Sequence, residues 1–141
     1  MRSRRTLSLR FDIPTERTRA FWEALKVGRL VTTRCSACGA VSFPPQADCP
    51  KCMASAPQWV DLPREASLAT FTRVEVAPAS FDAQCPYTIG IGMLANGLRV
   101  LAWIEGVSGM ALKPGMKLTL EARTSPDGYP YYVFVPVQNS A

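Results

Sequence analysis

Two short cysteine motifs carry the clearest chemistry in this chain: Cys35-Ser-Ala-Cys38 and Cys49-Pro-Lys-Cys52, with ten residues between them. A C-x2-C pair bends the backbone into a knuckle that aims two sulfurs at one point. Two such knuckles supply the four thiolates of a tetrahedral site, with Zn–S bonds near ~2.3 Å. A closed set of four sulfurs leaves no open position for substrate, so one structural zinc is expected rather than a catalytic metal. Iron in a rubredoxin-like electron carrier competes, because FeS4 and ZnS4 share this spacing. Disulfides fit badly in an intracellular chain, where thiols stay reduced. Gly39 follows the first pair, where a left-handed residue is usually wanted. Met53 stands in the same place after the second, so that knuckle is expected to be strained or differently shaped.

The other chemistry is sparse. The sequence contains no histidine, which removes Ser-His-Asp and Cys-His nucleophile pairs and every imidazole metal site. Cys85 stands alone, without a base to activate it, and reads as a small loop or buried thiol. Glu105, Glu121 and Asp127 show no spacing that singles out an acid/base couple. Gly90-Ile-Gly92 lacks the third glycine and the following helix of a phosphate loop. No catalytic residues are expected.

Elements must position the cysteines. Residues 14–28, from Pro14 to Gly28, read as a helix with Phe21, Trp22 and Leu25 as its apolar stripe. Arg19 and Glu23 are spaced to pair on another side of it. Phe21 and Trp22 either pack on the rest of the chain or form a docking surface for a partner, since aromatics anchor interfaces. Leu30–Arg34 reads as a strand into the first knuckle, and Trp59-Val60 as the return. From there the pattern changes to five β segments, at 67–76, 87–95, 98–105, 117–123 and 131–137. Tyr87, Ile89, Ile91 and Met93 alternate with Thr88, Gly90 and Gly92, and Asn96-Gly97 signals a hairpin. Glycines inside a strand suggest tight curvature or close backbone approach. Five curved strands point to a small, partly open OB-fold barrel, with an SH3-like barrel as runner-up.

The fold class expected is therefore mainly β with an N-terminal helix: a rubredoxin-like zinc ribbon followed by a five-stranded OB-fold barrel. The units are a basic arm and aromatic helix over 1–29, the ribbon over 30–62 and the barrel over 63–141. The length of 141 residues suits one average domain or two small modules. With 48% hydrophobic and 19% charged residues the chain is far from disordered composition. No stretch approaches the ~18 apolar residues of a spanning helix. No apolar segment follows the basic start, so a cytoplasmic protein is expected.

The net charge of +5 raises the possibility of nucleic acid. Nine of the sixteen Lys and Arg fall within residues 1–34, against Asp12, Glu16 and Glu23. From residue 64 on, six basic side chains balance six acidic ones. The barrel has aromatics but no basic groove, so nucleic acid is the weaker reading.

The arrangement resembles the DUF35 family. The matching stretches are Phe21-Trp-Glu-Ala-Leu-Lys-Val-Gly-Arg-Leu30, Arg34-Cys-Ser-Ala-Cys-Gly39, Phe43-Pro-Pro45 and Cys49-Pro-Lys-Cys52. Pro86-Tyr87, the strand pair around Asn96-Gly97, and Leu112-Lys-Pro-Gly-Met116 extend the likeness over about residues 14–137. Met53, where a glycine is common, is the departure. The resemblance implies a zinc ribbon plus OB-fold and a non-catalytic accessory subunit of a thiolase-like enzyme, ketoacyl-CoA synthase or hydratase. Such a subunit holds the enzymes together and frames the CoA-thioester path, with acyl-CoA or CoA at a shared interface. It assigns no CoA-contact residues.

Overall fold

In the computed structural model the described residues are 15–137. The basic arm and Pro14 lie outside them. The helical segment divides in two: a single 3-10 turn, Glu16–Thr18, and helix α1, Arg19–Lys26. Thr18 breaks the regular turn with φ −117° and ψ 12°, while Arg17 reaches sideways to the ribbon. The chain leaves α1 at Gly28, whose N–H bonds to the Leu25 carbonyl at 3.0 Å. Glu23 pairs with Lys26 at 2.9 Å rather than with Arg19. Phe21 and Leu25 form its buried face.

Three strands make the ribbon: β1, Val31–Cys35; β2, Val41–Ser42; and β3, Pro57–Asp61. β1 lies in the middle, antiparallel to both. Thr32 and Thr33 are buried on it, and their hydroxyls are used: Thr32 donates to the Ser42 carbonyl, and Thr33 Oγ1 accepts the Gln46 N–H at 2.8 Å. That satisfies the polar groups which burial would otherwise penalise. Leu62 N–H to the Leu30 carbonyl, 2.9 Å, closes the sheet where the ribbon hands over to the barrel.

The barrel strands are β4, Glu65–Val74; β5, Tyr87–Leu94; β6, Arg99–Ile104; β7, Lys117–Thr124; and β8, Pro130–Pro136. Their order, β4-β5-β6-β8-β7, closes on itself. All neighbours are antiparallel except β6 and β8, which run parallel through Trp103↔Val133 and Ile104↔Phe134. This is OB-fold connectivity, and the barrel is shut rather than partly open. Closure depends on β4 serving two sheets. Its register skips between Leu68 and Thr70, and the bulge bends one long strand between β5 and β7. A 3-10 turn over Ala79–Gln84, in the loop before β5, has no periodic signal in the sequence.

The alternation along β5 places its small residues inside. Thr88, Gly90 and Gly92 face the core, whereas Tyr87, Ile89 and Ile91 face outward. Phe134, fully buried, explains the arrangement: a Cβ on Gly92 would lie 2.9 Å from two of its ring carbons and closer still to a third. Protein cores pack to crystal-like density, so the ring has little room to move. Gly92→Ala is therefore expected to destabilise the barrel by roughly 1–3 kcal/mol through overpacking. Chemical denaturation measures it, and a loss below about 0.5 kcal/mol would show that Phe134 yields freely.

Candidate metal centre

The two knuckles are built on one hydrogen-bond pattern. In the first, Cys35 N–H bonds to the Ala40 carbonyl and Gly39 N–H to the Cys35 carbonyl, both at 2.8 Å. In the second, Cys49 N–H bonds to the Ala54 carbonyl and Met53 N–H to the Cys49 carbonyl, both at 2.9 Å. Gly39 takes φ +72° and Met53 φ +62°. The second knuckle thus has the same shape as the first, and Met53 accepts the left-handed conformation usually left to glycine. Its side chain is 76% exposed, so the strain is confined to the backbone.

All four sulfurs lie within 4.8 Å of one another. Cys35–Cys52 and Cys38–Cys49 are each 3.6 Å apart. A tetrahedron with ~2.3 Å metal–sulfur bonds has edges near ~3.8 Å, whereas a disulfide needs ~2.05 Å. The donor set fits a tetrahedral metal and is not paired covalently. Cys35 and Cys49 are buried, Cys38 and Cys52 exposed.

Backbone dipoles prepare the site for negative charge. The Cys38 N–H, with that of Ala37, holds the Cys35 thiol below its usual range. The Cys52 and Lys51 N–H groups bring Cys49 down to about 6. At Cys52 the Ala54 N–H pulls the same way, but the Cys35, Cys38 and Cys49 sulfurs and burial outweigh it and push the thiol up to about 12. Without a cation, hydrogen bonding with the neighbouring sulfurs favours the protonated Cys52 thiol and penalises its thiolate. A divalent ion removes that penalty.

The second knuckle is tied to the helical segment. Asp48, next to Cys49, accepts both Arg17 Nη groups at 2.9 and 2.7 Å and the Ser55 hydroxyl at 2.5 Å. Arg17 and Ser55 together hold its carboxyl at about 2. Phe43, just after β2, enters an aromatic joint. Phe21 from α1 packs edge-on against Trp22, Phe43 and Tyr132 at centroid distances of 5.1, 6.0 and 6.3 Å. Helix, ribbon and barrel thereby share one cluster. Phe21 is 3% exposed, which matches the first of its two expected roles, packing on the rest of the chain: its surface is covered by this chain. Trp22 is half-buried at the rim.

Cys85 stays apart from the metal cluster, its Sγ 3.1 Å from the Glu75 carbonyl. A second feature was missed in the sequence. Glu105, Glu121 and Arg123 meet on the outer face of the barrel, Arg123 bridging both carboxylates, and Tyr131 joins through Glu105 at 3.3 Å. The sequence signal available was Glu121 and Arg123 two positions apart on one strand, hence on one face.

Two family descriptions match consecutive stretches. Residues 22–58 match the rubredoxin-like zinc ribbon domain of ChsH2, and residues 59–123 match the ChsH2 C-terminal OB-fold domain. β8 lies beyond the second match and still closes the barrel. Residues of this chain are 33% identical over 76 positions to the benzoylsuccinyl-CoA thiolase subunit BbsA of Thauera aromatica, covering 54% of this chain and 51% of BbsA. A probable enoyl-CoA hydratase alpha subunit of Thermomonospora curvata is 29% identical over 106 residues, covering 74% of this chain and 33% of that protein. The chain thus spans about half and about a third of those two relatives. Among solved structures, one described as an Ltp2-ChsH2(DUF35) aldolase superposes with TM-score 0.72 at 25% identity, over 84% of this chain and 93% of that one. A DUF35 domain-containing scaffold protein of Methanocaldococcus jannaschii is 32% identical over 117 residues, covering 78% of this chain and 83% of its own length. That identity, carried through most of both chains in the same ribbon-then-barrel order, makes this chain a member of the DUF35 family.

Proposed function

We propose that this chain is a non-catalytic accessory subunit of an acyl-CoA-processing complex, with a thiolase-like enzyme, ketoacyl-CoA synthase or hydratase as partner. In this reading Cys35, Cys38, Cys49 and Cys52 hold one structural zinc, and the subunit helps frame the path of the CoA thioester at the shared interface. The observation that carries it is the sequence likeness to proteins named as a thiolase subunit and a probable enoyl-CoA hydratase alpha subunit, together with the shared fold of the Ltp2-ChsH2(DUF35) aldolase structure. The chemistry of the chain agrees. It has no histidine, its four sulfurs form a closed ligand set, and the carboxylates of Glu105 and Glu121 are engaged by Arg123.

We divide the chain at 29/30 and 62/63. The bond from Leu62 to Leu30 brackets the ribbon and supports that division. A cytoplasmic setting suits thiolates that must stay reduced. No helix among the described residues is long and apolar enough to cross a membrane.

Co-expression with each acyl-CoA enzyme found encoded beside it, followed by size exclusion and an assay of thiolysis or hydration, tests the reading. The isolated chain is expected to turn over no acyl-CoA, while the enzyme is unstable or poorly active without it. Failure of every neighbouring acyl-CoA enzyme to co-elute or gain activity would overturn the proposal. Trp22→Ala refines the test. A buried interface aromatic costs ~2 kcal/mol or more on truncation, which is about thirtyfold in affinity. If Trp22 serves only the internal joint, the variant loses thermal stability while its folded fraction binds the enzyme normally.

A further inference from the structure

The outer face of β5, β6 and β8 carries a groove of about 750 Å³ between the Ala79–Gln84 turn and the β7–β8 loop. One wall is aromatic. Tyr87 and Trp103 stack in parallel, 4.4 Å apart and 4° from coplanar, and Phe81 tilts against both at 6.3 and 6.2 Å. Leu101, 61% exposed, stands beside them. The only charged side chain lining the groove is Glu105. Its carboxylate shares one guanidinium, Arg123, with Glu121, so two negative groups face one positive group.

That combination disfavours phosphate. Barrels that bind single strands pair stacking aromatics with a basic groove, and here the local excess is negative. It favours a cation instead. Aromatic faces attract cations through their quadrupole, most strongly at Trp. Arginine suits the site better than lysine, because its flat, weakly hydrated guanidinium both stacks on rings and forks onto a carboxylate.

We propose that this groove receives an arginine-bearing segment of the enzyme partner, its guanidinium against Trp103 and Glu105 and its apolar flanks on Leu101 and Phe81. The proposal deepens the subunit reading and rests on it for the source of the segment. The zinc-loaded full chain, titrated with acetyl-Leu-Arg-Leu-amide and followed by nuclear magnetic resonance, supplies the first test. The Trp103 indole N–H is expected to shift at millimolar peptide, and Glu105→Gln to weaken binding by about fivefold or more. An acetyl-Leu-Glu-Leu-amide control should leave it unmoved. No Trp103 shift with the arginine peptide, or a stronger shift with AMP or a short oligonucleotide, would overturn the proposal. The second arm uses the assembled complex. Leu101→Lys should lower affinity for the enzyme about tenfold or more, with zinc content and melting temperature unchanged. An unaffected complex would overturn the groove and leave the subunit reading standing. If no enzyme assembles at all, the subunit reading fails while the peptide titration still decides the groove.

Discussion

Serine at Cys35 or at Cys52 is expected to give protein that holds no zinc and is insoluble. The ribbon has three short strands, one of only two residues, and its few buried apolar groups cannot hold it closed alone. Structural zinc contributes on the order of 10 kcal/mol to modules of this kind, so losing one of four thiolates removes most of what folds it. The two positions test the same site from different sides, since Cys35 is buried at the end of β1 and Cys52 is exposed on the second knuckle. The parent protein should be colourless with one zinc per chain by elemental analysis. Cys85→Ser provides the control: its thiol contacts backbone carbonyls of the barrel loop and should leave metal content and solubility unchanged. A red protein with one iron would establish the electron carrier instead. Soluble, folded serine variants would show that the ribbon does not depend on its metal.

Phe21→Ala should produce the second large effect, a loss of roughly 3–5 kcal/mol in stability. The ring is 3% exposed and touches the helix, the ribbon and the barrel together. Deleting it opens a cavity where Phe43 and Tyr132 already pack edge-on at 5.1 Å, and Tyr132 is held in place by β8. The melting temperature should fall on the order of 10 °C. Zinc content should stay near its parent value, because the ligands lie in a different part of the ribbon. A stability loss under about 1 kcal/mol would show that the three units are held together elsewhere.

These two sites also mark what the sequence makes legible. The cysteines declare themselves because ligand chemistry demands their spacing, whatever the rest of the chain does. Asn96-Gly97 is similarly local, and the hairpin turns there, with Gly97 N–H on the Leu94 carbonyl at 2.9 Å. Phe21 is different. A helical stripe announces that a face is buried without saying what buries it, and the answer lies in Tyr132, near the other end of the chain. β5 is legible as a strand but not in its orientation, for the same reason. Period two defines two faces, and only Phe134 on β8 decides that the glycines must be the inner one. The helix starts later than Pro14 suggests because Arg17 is turned toward Asp48, a contact no local pattern encodes. Barrel closure needs both the β4–β7 pairing and the two residue pairs between β6 and β8, contacts between strands far apart in the chain.

The same long separation governs the order of assembly. The metal site needs only a short loop to close, since its outermost ligands are 17 positions apart. The aromatic joint needs residues from both ends of the chain. A ribosome adding about 5–20 residues per second delivers β8 on the order of ten seconds after α1 has emerged. Throughout that interval Phe21 and Leu25 have no barrel to cover them, while the ribbon can already bind its ion. The expected order of assembly is therefore metal first and joint last.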